Sequence, residues 1–213
     1  MINSKMDKTE MQGKILCVSG PSGVGKGTVI SKLMEKRRDF ALSISMTTRA
    51  PRGEEKDGVD YYFCSATEFK DLIAKKEILE FDIYSDEYYG TPVGPIREFI
   101  RNKQNVILDI TIAGALQVKK IFPEALMVFL LPPSMESLHD RLLKRNTETE
   151  EQIKARIRQA EIEISHVEKF EYAILNDKIE NTVSKLEAII IAEECKYYNQ
   201  SAKFEQLFNI HDI

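Results

Sequence analysis

SGPSGVGKGTV (residues 19–29) is the segment from which the architecture of this chain can be inferred. It follows a short apolar run, KILCVS (14–19), and leads into a segment with helical spacing, GTVISKLMEKRR (27–38). A GxxxxGK turn between a strand and a helix typically wraps an anion with its backbone N–H groups, assisted by the positive end of the helix dipole. We therefore predict a phosphate-binding loop, in which Lys26 supplies a mobile positive charge.

Further apolar runs along the chain are strand candidates. They are FALSIS (40–45), NVILDI (105–110), ALMVFLL (125–131) and YAILN (172–176). Near-continuous apolar strands with helical stretches between them indicate a parallel sheet that helices cover on both faces. The sequence therefore predicts an α/β fold.

Two polar segments interrupt this rhythm, and we predict that both are flaps on one core. Residues 46–91 are rich in Tyr, Arg and Glu, whereas residues 134–170 are charged and helical. Ser65 with Glu68, and Thr147 with Glu150, each indicate the start of a helix by the capping-box pattern. The predicted organisation is a polar leader (1–13), a core (14–45, 92–133 and 171–199, closing with an amphipathic helix over 181–199), an inserted α+β region (46–91), a helical lid with its adjoining helix (134–170) and a tail (200–213).

Composition narrows the function classes. The net charge of −4 and pI of about 5.6 argue against a general nucleic-acid binder, which is usually basic. The three cysteines are scattered, which favours reduced thiols in an intracellular protein. Neither a secretory signal nor a membrane-spanning run is visible, so we expect a cytoplasmic protein with no membrane partner.

Gly27 departs from the usual loop, in which a hydroxyl residue follows the lysine and coordinates magnesium. Here Thr28 comes one place later, and this GKGT form is similar to that of nucleoside monophosphate kinases. Mg²⁺ would then be held mainly by phosphates, waters and a distant carboxylate. Asp109, at the end of VILD, is the candidate carboxylate, and its alternative role is that of a helix cap.

A second anion site is predicted around TTRAPR (47–52). Arg49 and Arg52 can grip a phosphate by bidentate hydrogen bonds, and hydroxyls and phenols lie nearby in the sequence. Two phosphate sites with a cationic helical flap are typical of phosphoryl transfer between two phosphorylated substrates. The alternative for each element alone is a solvated loop or a charged surface helix.

The chain resembles the guanylate kinase family over roughly residues 14–185. Several motifs in one order carry the resemblance, which makes it far more specific than a glycine-rich loop alone. They are SGPSGVGKGT (19–28), TTRAPR (47–52), DGVDYYF (57–63), YYGTP (88–92), LPPS (131–134), RNTETEEQIKARI (145–157) and LND (175–177).

This resemblance implies a P-loop nucleoside monophosphate kinase fold: a parallel sheet flanked by helices, with an α+β insertion that binds the nucleoside monophosphate and a helical lid. It implies transfer of the γ-phosphoryl group of ATP to GMP with Mg²⁺. The implied ATP-binding residues are Gly20, Pro21, Ser22, Gly23, Val24, Gly25, Lys26, Gly27, Thr28 and Asn176. The implied GMP-binding residues are Ser45, Arg49, Arg52, Tyr61, Glu80, Tyr89 and Thr91. The implied catalytic residues are Lys26, Arg49, Arg141, Arg145 and Arg156, and the implied metal-site residues are Thr28 and Asp109.

The chain departs from the family pattern at several positions. Thr111 and Ala113 replace an aspartate and a glutamine in LDITIAGA, which leaves acceptor selectivity and turnover open. Gly53 precedes Glu54 where a glycine is usual one place later, and Asn146 stands where glycine is common. A related kinase with a different acceptor therefore remains an alternative, as does a non-catalytic guanylate-kinase-like binding module. The sequence does not distinguish a monomer from a homodimer.

Overall fold

The computed structural model describes residues 13–84, 86–144, 149–196 and 199–201. Its strands are β1 (Ile15–Ser19), β2 (Phe40–Leu42), β3 (Met46–Thr47), β4 (Tyr62–Phe63), β5 (Ile78–Tyr84), β6 (Glu87–Pro92), β7 (Asn105–Asp109), β8 (Leu126–Leu131) and β9 (Tyr172–Leu175). Its α-helices are α1 (Lys26–Lys36), α2 (Ala66–Ala74), α3 (Val93–Arg101), α4 (Ile112–Ile121), α5 (Met135–Leu143), α6 (Glu150–Ile164) and α7 (Ile179–Glu194), and a 3₁₀ turn spans Val167–Lys169.

A five-stranded parallel sheet forms the core, in the order β2-β7-β1-β8-β9. The predicted parallel sheet is confirmed, and each strand candidate of the core forms a strand. β2 ends at Leu42, earlier than predicted, because the chain then leaves this sheet and enters a second one at Met46. The last helix also ends before the predicted residue 199, at Glu194.

Helices cover both faces of this sheet because its side chains alternate between two apolar layers. Cys17, Leu108 and Phe129 face a layer that includes residues of α3 and α4. Leu16, Val18 and Ile107 and their neighbours face the other layer, which includes residues of α1 and α7. The carboxyl ends of β1 and β7 therefore meet at one edge of the sheet, where Val18 pairs with Asp109.

The inserted region forms a second sheet of four strands, in the order β4-β3-β6-β5. β5 and β6 form an antiparallel hairpin, and α2 packs on it through the fully buried Phe69. Ser65 caps α2, because its side chain accepts a hydrogen bond from the backbone N–H of Glu68, as predicted. Strands β5 and β6 of this sheet carry the acceptor-site candidates Glu80, Tyr89 and Thr91.

The start of α6 corrects a prediction. Thr149, two residues after the predicted Thr147, is the N-cap, and it exchanges hydrogen bonds with Gln152 in a capping box. Thr147, Arg145 and Asn146 lie outside the described residues. Within the described ranges, no helix combines the length and the apolar character needed to cross a bilayer.

Candidate active site

Left-handed glycines shape the loop between β1 and α1. Gly20, Gly23 and Gly25 have φ of 143°, 89° and 101°. A Cβ at Gly20 would lie 2.4 Å from the carbonyl oxygen of Leu130, and a Cβ at Gly25 would lie 2.8 Å from Nδ2 of Asn176. Both glycines are therefore required by backbone conformation and by space.

Lys26 opens α1 at the end of this loop. Its Nζ donates to the carbonyl oxygen of Gly20 at 2.9 Å and lies 3.8 Å from Oδ1 of Asp109. The first turn of α1 contains no acidic residue that would compensate its N-terminal dipole. Burial raises the pKa of Asp109, and Lys26 opposes that shift. A cation, a helix N-terminus and a carboxylate therefore converge at the edge of the sheet, as phosphate and metal binding require.

The donor set around Asp109 suits Mg²⁺. Ser19 is 1% exposed, and its hydroxyl has no hydrogen-bond partner among the described residues. Ser19 and Asp109 line the same cavity as Lys26. Mg²⁺ is commonly bound by only one or two protein oxygens together with substrate phosphates and water. No group of three or more His, Cys, Asp or Glu in the described part of the chain forms a ready-made metal site.

Thr28, the other predicted metal residue, lies elsewhere. It is exposed and lines a second cavity, whereas Asp109 lines the main one. A Cβ at Gly27 would meet nothing within 4 Å, so the absence of a hydroxyl there is not imposed by packing. Ser19, rather than Thr28, thus lines the cavity of Asp109.

The main cavity has a volume of about 620 Å³ and lies between the phosphate loop, the second sheet and α6. Many predicted site residues meet there, although they come from distant parts of the sequence. They are Gly20, Ser22, Lys26, Ser45, Arg49, Arg52, Tyr61, Glu80, Tyr89, Asp109 and Arg156. The α6 residues that line it, which include Gln152, Gln159 and Glu163, recur every three or four positions and so share one helix face.

Arg49 is the most enclosed cation of the acceptor side, at 8% exposed. Its guanidinium carbon lies 4.9 Å from the ring centroid of Tyr61, and its N–H groups donate to the carboxylate of Glu55 at 2.7 and 2.8 Å. Burial raises the pKa of Tyr61, and Arg49 opposes that shift. Arg52 also lines the cavity and is exposed. Glu55 was not predicted, although an acid three residues after Arg52 was a visible signal.

Glu80 is the buried acid of the site, at 3% exposed. The hydroxyl of Thr91, which is fully buried, donates to its Oε1 at 2.6 Å. Burial raises the pKa of Glu80 to about 7, and the hydrogen bond from Thr91 opposes that shift. Oε2 lies against Gly114, where a Cβ would be only 2.1 Å away. Gly114 was missed from the sequence, in which its only signal was a glycine inside a predicted helical stretch.

The positions that depart from the family pattern have plain structural roles. Thr111 caps α4, because its hydroxyl accepts a hydrogen bond from the N–H of Gly114 at 3.2 Å, and it also lines the main cavity. Ala113 is exposed. Gly53 has φ of 56°, and the turn that it begins brings Glu55 back to the backbone N–H of Arg52.

A second cavity of about 330 Å³ lies on the other side of the loop, and Gly23, Gly25, Thr28, Arg141 and Asn176 are among the residues that line it. The guanidinium of Arg141 donates to the carbonyl oxygens of Val24 and Asn176, both at 2.9 Å. Asn176 donates from Nδ2 to the same Val24 oxygen at 2.7 Å. Arg141 is thus fastened to the phosphate loop and does not line the main cavity.

The arrangement can hold two anions with a buried carboxylate beyond the second one. The phosphate loop and Lys26 form the first anion site, and Arg49 and Arg52 form the second. Residues of both sites line one cavity, so two bound groups would share it. Such a geometry suits transfer between two bound molecules.

Comparisons with known proteins agree with this geometry. A family model described as "Guanylate kinase" matches residues 12–193. The chain is similar to the guanylate kinase of Caldanaerobacter subterraneus subsp. tengcongensis, with 47% identity over 185 residues that cover 87% of this chain and 90% of that protein. It is also similar to that of Halalkalibacterium halodurans, with 43% identity over 199 residues, 93% of this chain and 98% of that protein. The crystal structure of guanylate kinase from Anaplasma phagocytophilum superposes with a TM-score of 0.76 at 32% identity, covering 93% of this chain and 97% of that one.

Proposed function

The chain belongs to the guanylate kinase family of nucleoside monophosphate kinases, and we propose that it transfers the γ-phosphoryl group of ATP to GMP, giving ADP and GDP. One observation carries the choice of acceptor: Glu80, almost fully buried, lines the same cavity as Arg49 and the phosphate loop. A buried carboxylate needs a donor pair from its ligand, and guanine supplies one.

The proposed base recognition follows from hydrogen-bond chemistry. The carboxylate of Glu80 accepts from N1–H and the 2-amino group of guanine, and Ser45 donates to O6. Adenine lacks that donor pair, so its binding would leave the buried carboxylate without a donor from the base. The hydroxyl of Thr91 donates a hydrogen bond to Oε1 of Glu80 and so orients the carboxylate.

We assign the phosphate contacts from the family resemblance together with the positions of these residues in the fold. Arg49, Arg52, Tyr61 and Tyr89 bind the acceptor phosphate within the inserted region, residues 46–91. The loop residues Gly20–Thr28 bind the phosphates of ATP, and Asn176 lies on its adenine side. Residues 134–170 act as the lid, which brings Arg145 and Arg156 to the site, whereas Arg141 is fastened to the phosphate loop.

Catalysis then rests on alignment and charge. The acceptor phosphate is already an oxyanion near neutral pH, so no general base is required. Lys26, Arg145 and Arg156 stabilise negative charge on the group in transfer. Mg²⁺, when bound near Asp109, supplies further charge neutralisation to the ATP phosphates. Closure of the lid excludes water and so suppresses hydrolysis of ATP.

The proposal also covers the partners and the cellular location of this enzyme. Its partners are ATP, GMP and Mg²⁺, with neither nucleic acid nor a membrane involved. We propose a cytoplasmic location, which the free thiols of Cys17, Cys64 and Cys195 support.

Thr111 supports one alternative, a related kinase with a different acceptor. It lines the main cavity where the family pattern has an aspartate, and its hydroxyl is engaged in capping α4. The position of Glu80 favours GMP over that alternative. A binding module without catalysis is disfavoured by Lys26, which retains its place beside Gly20 and Asp109.

The test is release of ADP from ATP and Mg²⁺ with GMP, dGMP, AMP, CMP or UMP as the acceptor. We expect release that depends strongly on GMP and hardly on AMP. Glu80→Gln, which keeps the size of the side chain, should lose most of the preference for GMP over AMP. Folded protein that no nucleotide stimulates would contradict the proposal, and equal stimulation by AMP and GMP would contradict the role of Glu80.

A further inference from the structure

Glu55 and Arg49 form a bidentate pair at the acceptor end of the main cavity. NH1 of Arg49 donates to Oε2 of Glu55 at 2.7 Å, and NH2 donates to Oε1 at 2.8 Å. NH1 also donates to the carbonyl oxygen of Ala50 at 2.9 Å. The NH1–NH2 end of the guanidinium is therefore committed to internal acceptors.

The carboxylate of Glu55 is itself fixed by the turn that follows Arg52. The backbone N–H of Arg52 donates to Oε2 of Glu55 at 2.8 Å, and the backbone N–H of Glu55 donates to the carbonyl oxygen of Arg52 at 3.1 Å. Gly53, with φ of 56°, permits this reversal of the chain. An incoming anion that displaced Glu55 from Arg49 would therefore also break the hydrogen bond that Glu55 accepts from the backbone N–H of Arg52.

The remaining donors of Arg49 define where a phosphate can bind. A guanidinium has five N–H donors, arranged as a forked end and a forked side that includes Nε. The internal bonds occupy the end, and the rings of Tyr61 and Phe63 lie close by, with centroids 4.9 and 5.8 Å from the guanidinium carbon. The side that includes Nε is the bidentate edge that these contacts leave for a ligand.

We propose that Glu55 is a positioning residue for the acceptor phosphate: it holds the NH1–NH2 end of Arg49 so that the Nε side grips the phosphate in the cavity. This inference rests on the proposed function, because it needs a phosphorylated acceptor. Arg49 lowers the pKa of Glu55 to about 2, so the pair is ionised throughout the working range of pH.

The experiment compares the binding of GMP and guanosine, which differ only in the phosphate. Glu55→Gln should weaken GMP binding by about tenfold or more and leave guanosine binding unchanged, because only the phosphate contact depends on the orientation of Arg49. Glu54→Gln is the matched control, since Glu54 is exposed on the same turn, and it should bind both ligands like the wild type. Calorimetry for GMP and competition against GMP for guanosine give the two affinities.

A double-mutant cycle with Arg49→Lys tests whether Glu55→Gln weakens GMP binding through Arg49. The ammonium group of lysine has no forked edge that Glu55 could orient. In the Arg49→Lys protein, Glu55→Gln should therefore change GMP affinity by less than about twofold. Unchanged or tighter GMP binding by Glu55→Gln would overturn the inference, the latter because Glu55 would then be a competing anion. A parallel loss of guanosine binding, or full additivity in the cycle, would overturn it as well. If the wild type itself binds no GMP, the proposed function fails and the inference falls with it.

Discussion

The carboxylate of Glu80 occupies space that is free only because Gly114 has no Cβ. A Cβ at position 114 would lie 2.1 Å from Oε2 and 2.9 Å from Cδ of Glu80. Gly114→Ala should therefore push the carboxylate away from the guanine position. We expect the KM for GMP to rise about tenfold or more while the KM for ATP stays unchanged, which steady-state kinetics with each substrate varied in turn would measure.

Gly94→Ala is the matched control for that substitution. Gly94 also lies in the first turn of a helix, α3, but a Cβ there would meet nothing within 4 Å. This variant should show wild-type KM values for both substrates. Equal increases in the two KM values of Gly114→Ala would indicate general damage instead of displacement of Glu80.

The raised pKa of Glu80 gives a second prediction at the residue scale. Burial raises this pKa from 4.5 to about 7, so between these values the folded protein holds a proton that the unfolded chain lacks. The stabilising contribution of this group is therefore complete below about pH 4.5 and is lost as the pH rises through 7. GMP binding has the opposite dependence, because the carboxylate must be ionised to accept from N1–H and the 2-amino group.

We therefore expect the affinity for GMP to fall as the pH drops below about 7, and GMP binding near that pH to release protons into the buffer. Calorimetry in buffers of different ionisation enthalpy measures this release. Burial also raises the pKa values of Asp109 and Glu163, so Glu80→Gln is needed to isolate the contribution of Glu80. Proton release that persists undiminished in Glu80→Gln would contradict the assignment.

At the scale of elements, α5 is tied to the phosphate loop through Arg141. Its two hydrogen bonds to the carbonyl oxygens of Val24 and Asn176 join α5, the loop and the end of β9 beside the second cavity. Arg141→Lys cannot make both bonds in the same plane. We expect a loss of about 1–3 kcal/mol in the free energy of unfolding and a higher KM for ATP, with the KM for GMP unchanged.

Kinetics and denaturant unfolding of the same Arg141→Lys protein test this prediction together. A residue that contacted only the phosphoryl group in transfer would instead lower kcat with little effect on stability. That result would instead support the catalytic role of Arg141 that the family resemblance implies. Lys144→Arg is a suitable control, because Lys144 is the exposed C-cap of the same helix.

The elements that the sequence predicted well are those specified by local patterns. The strand–loop–helix unit around Gly20 and Lys26 needs only its glycine spacing and an apolar strand before it. The end of β2 at Leu42 and the N-cap at Thr149 depend instead on where the chain must turn to reach other elements. Gly114 could not be identified because its partner, Glu80, lies far away in the sequence, and only packing brings α4 against β5.

At the scale of the whole molecule, the main cavity connects three separate parts of the chain: the core sheet, the second sheet and α6. A ligand that needs this assembled cavity binds the folded protein and not the unfolded chain. At a concentration 100 times its Kd, GMP should stabilise the protein by about 2.7 kcal/mol, which for a chain of this size raises Tm by roughly 5–10 °C. Thermal denaturation with GMP and with AMP at the same concentration measures the difference. AMP should have little effect at that concentration, because it leaves Glu80 without a donor from the base, and a Tm shift for AMP equal to that for GMP would show that the cavity selects for the phosphate alone.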